Sequence, residues 1–125
     1  MYSEKYLQHF SSPQNVGEIT DPDGVCEVAH TGGGCFDRIK MTLKVEGDRI
    51  VDIKYKLRAC SGTIAASSAV TSLALGKTLT EAGQIGAAEI LTELDGVPEK
   101  KMHSVELAVE ALREVVADYR KRVSL

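Results

Sequence analysis

Residues 39–59 read IKMTLKVEGDRIVDIKYKLRA, and this stretch decides the fold. Apolar and polar residues alternate over 39–45 and again over 51–59, on either side of a turn at Gly47-Asp48. A period of two gives each strand one buried face and one wet face. The connection is too short for a crossover, so the stretch predicts an antiparallel hairpin. The inward residues of its second strand are then Val51, Ile53, Tyr55, Leu57 and Ala59.

The chain before the hairpin predicts a short helix, a short strand and a loop. Ser3 is the expected cap of a helix over 3–10, which has apolar residues at helical spacing. Residues 25–30 form a strand candidate. Residues 31–35, TGGGC, are predicted to be loop, because three consecutive glycines cost too much conformational entropy in a regular element.

Helical patterns dominate the chain after the hairpin. A helix over 64–75 ends at Gly76, residues 78–81 have capping-box spacing, and 87–94 predict another short helix. The last helix is the strongest, with an apolar stripe of Val105, Ala108, Val109, Leu112, Val116, Tyr119 and Val123. Together these elements predict a single α+β domain over residues 1–125, with a three-stranded antiparallel sheet, covering helices and a long C-terminal helix.

Composition excludes several classes of protein. The chain has 125 residues, with 15 Lys and Arg against 18 Asp and Glu, and no basic block longer than residues 120–122. Neither a nucleic acid nor a membrane is therefore an expected partner, and no apolar run approaches the roughly 20 residues that cross a bilayer. Three cysteines without a secretory signal favour free or metal-bound thiols in a reducing compartment, the cytoplasm.

Two thiols, one carboxylate and one imidazole lie at junctions between predicted elements. Cys35 and Asp37 follow the glycines, Cys60 ends the hairpin, and His103 precedes the last helix. A helix N-terminus is positive, so it favours thiolate at Cys60 and a neutral, coordinating imidazole at His103. Glycines before Cys35 let backbone N–H groups approach an anionic ligand. Soft thiolates select zinc, copper(I) or iron–sulfur clusters.

The spacing by itself leaves a structural interpretation open. There is no Cys-x-x-Cys pair, and free cysteines are among the residues most often buried in protein cores. Two core cysteines and a histidine near a helix start would give the same pattern.

The sequence resembles the U-type iron–sulfur cluster assembly scaffolds, the family of IscU and of the N-terminal part of NifU. The resemblance covers nearly the whole chain, and its motifs follow in family order with family-like spacing. They are Tyr2-Ser3-Glu4-Lys5, Pro13-Gln14-Asn15-Val16-Gly17, Gly34-Cys35-Phe36-Asp37, Cys60-Ser61-Gly62-Thr63-Ile64-Ala65-Ala66-Ser67-Ser68, Gly76-Lys77-Thr78-Leu79 and Lys101-Met102-His103.

The resemblance implies a non-enzymatic scaffold that binds iron as a nascent [2Fe–2S] cluster. It implies that a cysteine desulfurase supplies sulfur as persulfide and that recipient apoproteins take the finished cluster. The ligands carried over are Cys35, Asp37, Cys60 and His103. Four ligands complete a [2Fe–2S] centre, with two on each iron, or one tetrahedral zinc, which is the alternative metal for the isolated protein.

The chain departs from the family in two places. Ser104 stands where the family has its third cysteine, and a hydroxyl is a poor ligand that cannot carry a persulfide. We interpret Ser104 as the N-cap of the last helix. Residues 97–101 read VPEKK where the family has the LPPVK segment for its dedicated chaperone, so recognition by that chaperone is not expected.

The remaining cysteine and histidines are weaker candidates. Cys26 shares a strand face with Val28 and is predicted to be core or strand edge. His9 is predicted to be a surface residue or a partner of a helix C-terminus rather than a ligand. His30 is kept as a minor ligand candidate because it is close to the glycines.

Two other functions compete with the scaffold. One is a sulfur carrier or thiol enzyme with Cys35 or Cys60 as nucleophile, helped by Asp37 and His103. The other is an adaptor that docks on a desulfurase and has lost cluster assembly together with the third cysteine.

Overall fold

The structure, a computed structural model, describes residues 2–32, 35–58 and 61–124, with the backbone alone at 31–32, 35–36 and 61. One helix precedes three consecutive strands and the other helices follow them, which is the α+β arrangement that the sequence predicts. In chain order they are α1 (Glu4–Ser11), β1 (Gly24–Gly32), β2 (Cys35–Glu46), β3 (Arg49–Arg58), α2 (Ser61–Ala74), α3 (Leu79–Ala82), α4 (Ala87–Leu94), a 3-10 turn (Glu99–Lys101) and α5 (Met102–Val123).

The three strands form one antiparallel sheet in the order β1-β2-β3, which confirms the predicted hairpin. The predicted alternation is wrong at Val51. Lys44 pairs with Asp52 but Val45 pairs with Ile50, so Val51 is an extra residue in a β-bulge. The bulge turns Ile50 into the core and leaves Val51 45% exposed.

The predicted loop over 31–35 is wrong at Thr31, Gly32 and Cys35. β1 continues to Gly32, β2 begins at Cys35, and these two residues face each other across the ladder. Gly33 and Gly34 lie outside the described residues. Pairing with the neighbouring strand offsets the conformational cost of glycine. The prediction was wrong because it considered that cost without the pairing.

Helices cover one face of the sheet. α5 packs on β1 and β2, and α2 packs on β3 and against α5, while α1 and α4 pack on α2. Thr78 and Glu81 form the predicted capping box of α3, and Ser3 caps α1 by accepting from the Tyr6 N–H. α4 has its predicted bounds, Ala87–Leu94.

The core lies between the sheet and α2 and α5. Its fully buried members include Ile39, Met41, Leu43, Ile53, Ala66, Val70, Ala108 and Leu112. The predicted apolar stripe of α5 is wrong at Val123, which is 62% exposed. Tyr119 lies beside Gly24, the first residue of β1, so Val123 extends one turn past the start of the sheet. None of the helices in the described ranges has the length and apolar character to cross a membrane.

Candidate functional site

Asp37 is a buried carboxylate at the end of an apolar row. It is the third residue of β2 and shares its face with Ile39 and Met41, because successive strand side chains alternate between faces. Only 1% of Asp37 is exposed. A buried carboxylate requires hydrogen-bonding or charged partners, so its neighbours define the site.

The N-terminal ends of α2 and α5 meet beside this carboxylate. Gly62, the second residue of α2, makes the close approach possible. A Cβ atom at Gly62 would lie 2.8 Å from Ser104 Oγ and 3.1 Å from Lys101 Cδ. Any larger residue at position 62 would therefore push the two helix ends apart.

Three polar side chains from these helix ends surround Asp37. Thr63 Oγ1 lies 3.0 Å from Asp37 Oδ2 and 3.0 Å from Ser104 Oγ. His103 Nε2 lies 3.5 Å from Asp37 Oδ2. We call Asp37, Thr63, His103 and Ser104 the site cluster.

The site cluster lies where two helix dipoles present their positive ends. His103 and Ser104 are the second and third residues of α5, and Thr63 is the third residue of α2. Unpaired N–H groups and aligned peptide dipoles at such ends favour negative charge. The site therefore favours an anionic ligand.

The structure brings Asp37 and His103 together, while the two predicted thiols can be located by their positions in the chain alone. Cys35 is the first residue of β2, two residues before Asp37, and its side chain lies outside the described part of the structure. Cys60 also lies outside the described residues, directly before the start of α2 at Ser61. No group of three metal-ligating side chains occurs among those that the structure describes.

Ser104 is not the N-cap of α5, so that prediction is wrong. The helix begins at Met102 after a 3-10 turn, and the cap position is Lys101. Ser104 lies inside the helix and is fully buried. The 3-10 turn moves the helix start ahead of the serine, which a sequence argument based on cap preference does not detect.

Sequence reasoning missed Thr63 as a site residue, although helical spacing contained the signal. Thr63 precedes Ala66 by three positions and lies on the same helix face as Ala66 and Val70. Ser104 likewise precedes Ala108 by four positions. A hydroxyl in line with an apolar stripe indicates a buried polar contact.

His9 lies in the last turn of α1, as one of the two predicted alternatives requires, but it is not a surface residue. Its side chain is only 12% exposed, with Nδ1 2.7 Å from Ser68 Oγ and Nε2 2.9 Å from Glu93 Oε2. Asn15 Nδ2 donates to Thr71 Oγ1 at 3.1 Å nearby. We call His9, Asn15, Ser68, Thr71 and Glu93 the α1 cluster, because they fasten the N-terminal segment to α2 and α4.

The other two candidates bond to residues outside the site cluster, although His30 lies opposite Asp37 in the ladder between β1 and β2. His30 pairs with Glu110 on α5 at 3.2 Å, and both side chains are about 40% exposed, at 40% and 43%. Cys26 packs against the core, as predicted, and its Sγ donates to the Ala111 carbonyl at 3.3 Å. Burial, with smaller effects of nearby carboxylates, raises the pKa of the Cys26 thiol to about 12.

Comparison with known proteins gives a consistent set of relatives. Residues 1–125 match the family of NifU-like N-terminal domains. An iron–sulfur cluster assembly scaffold protein IscU of Archaeoglobus fulgidus is 42% identical over 122 residues, which cover 98% of this chain and 78% of that protein. The scaffold protein IscU of Haemophilus influenzae is 36% identical, with 97% of both chains covered.

Solved structures match the fold at lower identity. A scaffold protein for iron–sulfur cluster assembly by the SUF system of Fervidobacterium islandicum superposes with a TM-score of 0.75. It is 21% identical, and the match covers 92% of this chain and 96% of that one. A NifU-like N-terminal protein of Brucella abortus gives a TM-score of 0.70 at 20% identity, over 96% and 94% of the two chains.

Proposed function

Because this chain belongs to the family of NifU-like N-terminal domains, we propose that it is a scaffold on which an iron–sulfur cluster is assembled and then passed on. One observation carries the proposal: a buried carboxylate, Asp37, lies 3.5 Å from the imidazole of His103 between two helix N-termini. Relatives named as scaffolds for cluster assembly support the same role.

We propose Cys35, Asp37, Cys60 and His103 as the protein ligands of the cluster. The support is the contact between Asp37 and His103, together with the chain positions of the two cysteines. Cys35 is two residues before Asp37, and Cys60 directly precedes α2. Two thiolates, one carboxylate and one imidazole complete a [2Fe–2S] centre, and the same four would complete a tetrahedral zinc site. The cluster is cargo, so a donor set weaker than four thiolates suits its release.

Charge supports an anionic cargo at this site. A [2Fe–2S] cluster with thiolate ligands carries negative charge, and the N-termini of α2 and α5 favour negative charge. The chain as a whole has a formal charge of −3, so it is this local field, rather than net charge, that attracts the cluster.

The scaffold role requires a sulfur donor and acceptors. We propose a cysteine desulfurase as the donor, with sulfur arriving as persulfide on Cys35 or Cys60, and apoproteins that need a cluster as the acceptors. The protein is then a carrier and not an enzyme, working in the reducing cytoplasm. Recognition by a dedicated chaperone is not part of the proposal, because residues 97–101 carry three charges within the sequence VPEKK.

Anaerobic reconstitution with ferrous iron and sulfide tests the proposal. We expect visible sulfide-to-iron and thiolate-to-iron charge-transfer bands with about two irons per chain. Cys60→Ala and Asp37→Ala should abolish or weaken the bands, whereas Cys26→Ala, a change at a core thiol, should leave them unchanged. Bands that survive Cys60→Ala would refute the ligand set. A persulfide on Cys35 or Cys60 with no cluster would favour the sulfur carrier instead.

A further inference from the structure

The site cluster contains an unusual concentration of buried polar side chains. Asp37, Thr63 and Ser104 come from β2, α2 and α5, and their exposed fractions are 1%, 0% and 0%. Buried hydroxyls and carboxylates are costly unless they bond to one another, and a fully bonded network fixes the position of each member.

Thr63 links the other two side chains. Its Oγ1 lies 3.0 Å from Asp37 Oδ2 and 3.0 Å from Ser104 Oγ, and both distances are those of a hydrogen bond. The contacts form a chain from Ser104 through Thr63 to Asp37.

Packing limits the movement of the Ser104 side chain. Its Oγ lies against Gly62 so closely that a Cβ atom there would be 2.8 Å away. Ser104 is also inside α5, in the first turn, where the helix backbone fixes the direction of its side chain. Its hydroxyl is therefore held against Thr63 by packing as well as by hydrogen bonding.

We infer that Thr63 and Ser104 are a pair of positioning residues that hold the Asp37 carboxylate in place as a metal ligand, and that Ser104 is not itself a ligand. The inference rests on the proposed function, because it takes Asp37 as a ligand. It assigns Ser104 a supporting role at the position where the resemblance leads one to expect a third thiolate. Thr63 belongs to the positioning pair because, among the contacts described above, it is the residue that connects Ser104 to Asp37.

The positioning pair should affect which metal ions the site prefers. A carboxylate held in one orientation binds a metal without first losing conformational freedom, and residues that orient ligands typically contribute about 10- to 100-fold in affinity. Oxygen is a harder donor than thiolate. The pair therefore favours iron(II) and cobalt(II) relative to copper(I), compared with a site that has three thiolates.

Cobalt(II) titration of the metal-free chain tests the inference without a cluster. Thr63→Val, which keeps the shape of the side chain and removes both hydrogen bonds, should weaken cobalt binding about 10- to 100-fold. Ser104→Ala should weaken it about 10-fold. Thr71→Val is the matched control: it removes a fully buried hydroxyl from the same helix, outside the site cluster, and should leave cobalt affinity unchanged.

Two further measurements separate positioning from a general structural effect. The sulfur-to-cobalt charge-transfer intensity should be the same in wild type, Thr63→Val and Ser104→Ala, because Ser104 contributes no bond to the metal. In an Asp37→Ala background, Thr63→Val should have no additional effect, since the pair acts through that carboxylate.

The outcomes are distinguishable from those of the scaffold proposal. Unchanged cobalt affinity in both Thr63→Val and Ser104→Ala would overturn the inference, and so would an undiminished effect of Thr63→Val in the Asp37→Ala background. Absence of cobalt binding by the wild-type chain would also overturn it. If cobalt binding follows the expected pattern but no cluster forms with iron and sulfide, the scaffold proposal fails and the positioning pair stands.

Discussion

α2 carries two buried polar clusters that look alike and differ in what they can do. The site cluster lies at the N-terminus of α2, and the α1 cluster lies along its middle. Each combines a histidine, a carboxylate and buried hydroxyls. The difference between them shows which buried polar groups are structural and which are suited to bind a ligand.

The histidine of the α1 cluster is committed to protein partners on both sides. Ser68 Oγ lies 2.7 Å from His9 Nδ1 and also accepts from the Gln14 N–H at 2.8 Å. His9 Nε2 lies 2.9 Å from Glu93 Oε2. Both ring nitrogens are therefore occupied by hydrogen bonds to protein side chains, and neither is available to a metal.

The site cluster has a looser histidine contact in a more positive environment. His103 Nε2 is 3.5 Å from Asp37 Oδ2, beyond the usual range of a hydrogen bond. Two helix N-termini face this pair, whereas His9 lies in the last turn of α1. Short bonds on both sides of the imidazole therefore indicate a structural role for the α1 cluster, and ligand-type side chains gathered at two helix N-termini suit the site cluster to binding.

The largest expected effects come from exchanging the two histidines for alanine. His9→Ala removes the hydrogen bonds of the imidazole to Ser68 and Glu93 and should lower the free energy of unfolding by about 2 kcal/mol, with cobalt affinity unchanged. His103→Ala should have the opposite profile: a small effect on unfolding and a large loss of cobalt binding. Urea denaturation and cobalt titration of both variants measure the two effects.

His30→Ala is the control for removing an imidazole. His30 and Glu110 are exposed, and such ion pairs contribute little, so unfolding should change by less than about 1 kcal/mol. If His9→Ala weakens cobalt binding as much as His103→Ala does, the two clusters are not functionally distinct and the comparison fails.

Local sequence patterns accounted for most of the fold. The hairpin, the Thr78–Glu81 capping box and the bounds of α4 depend on neighbouring residues alone, and all three were predicted correctly. The bulge at Val51 was not, because register depends on how β3 fits against β2 and the helices. The continuation of β1 to Gly32 was missed for the same reason, since pairing across the sheet outweighed glycine propensity.

The candidate site was partly predictable from element junctions. Asp37 and His103 are 66 positions apart, and their contact follows from strand and helix ends meeting at one end of the sheet. Ser104 was misassigned because the 3-10 turn moved the helix start. The burial of His9 was missed because it depends on Glu93, which is 84 positions away and carries no local signal.

A substitution at Gly62 should have an effect of intermediate size on stability and on cobalt binding. Gly62→Ala would bring a Cβ within 2.8 Å of Ser104 Oγ, which is held by Thr63 and cannot retreat easily. We expect a loss of about 1 to 3 kcal/mol in the free energy of unfolding, as for overpacking in a core, together with weaker cobalt binding. Equilibrium denaturation and cobalt titration measure both.

Gly83→Ala is the matched control for the glycine change. A Cβ at Gly83 would be 3.5 Å from the nearest atoms, which is ordinary contact, and the residue has helical φ and ψ. This variant should be neutral or slightly stabilising, by up to about 1 kcal/mol. A Gly62→Ala variant that behaves like Gly83→Ala would show that the helix ends at the site can separate, and that the site cluster is less rigid than the α1 cluster.

The smallest effect concerns Cys26, a buried thiol that belongs to neither cluster. Burial raises the pKa of this thiol from 9.0 to about 12 in the folded chain. A raised pKa stabilises the folded state fully below pH 9, and this contribution is lost progressively as the pH rises from 9 towards 12. Between pH 9 and pH 10 wild type should therefore lose about 1 kcal/mol more stability than Cys26→Ala, as measured by urea denaturation at each pH. Identical pH profiles would mean that the Cys26 thiol is solvated in the folded chain, and Cys26 could then no longer serve as the inert thiol against which loss of cluster at Cys60 is judged.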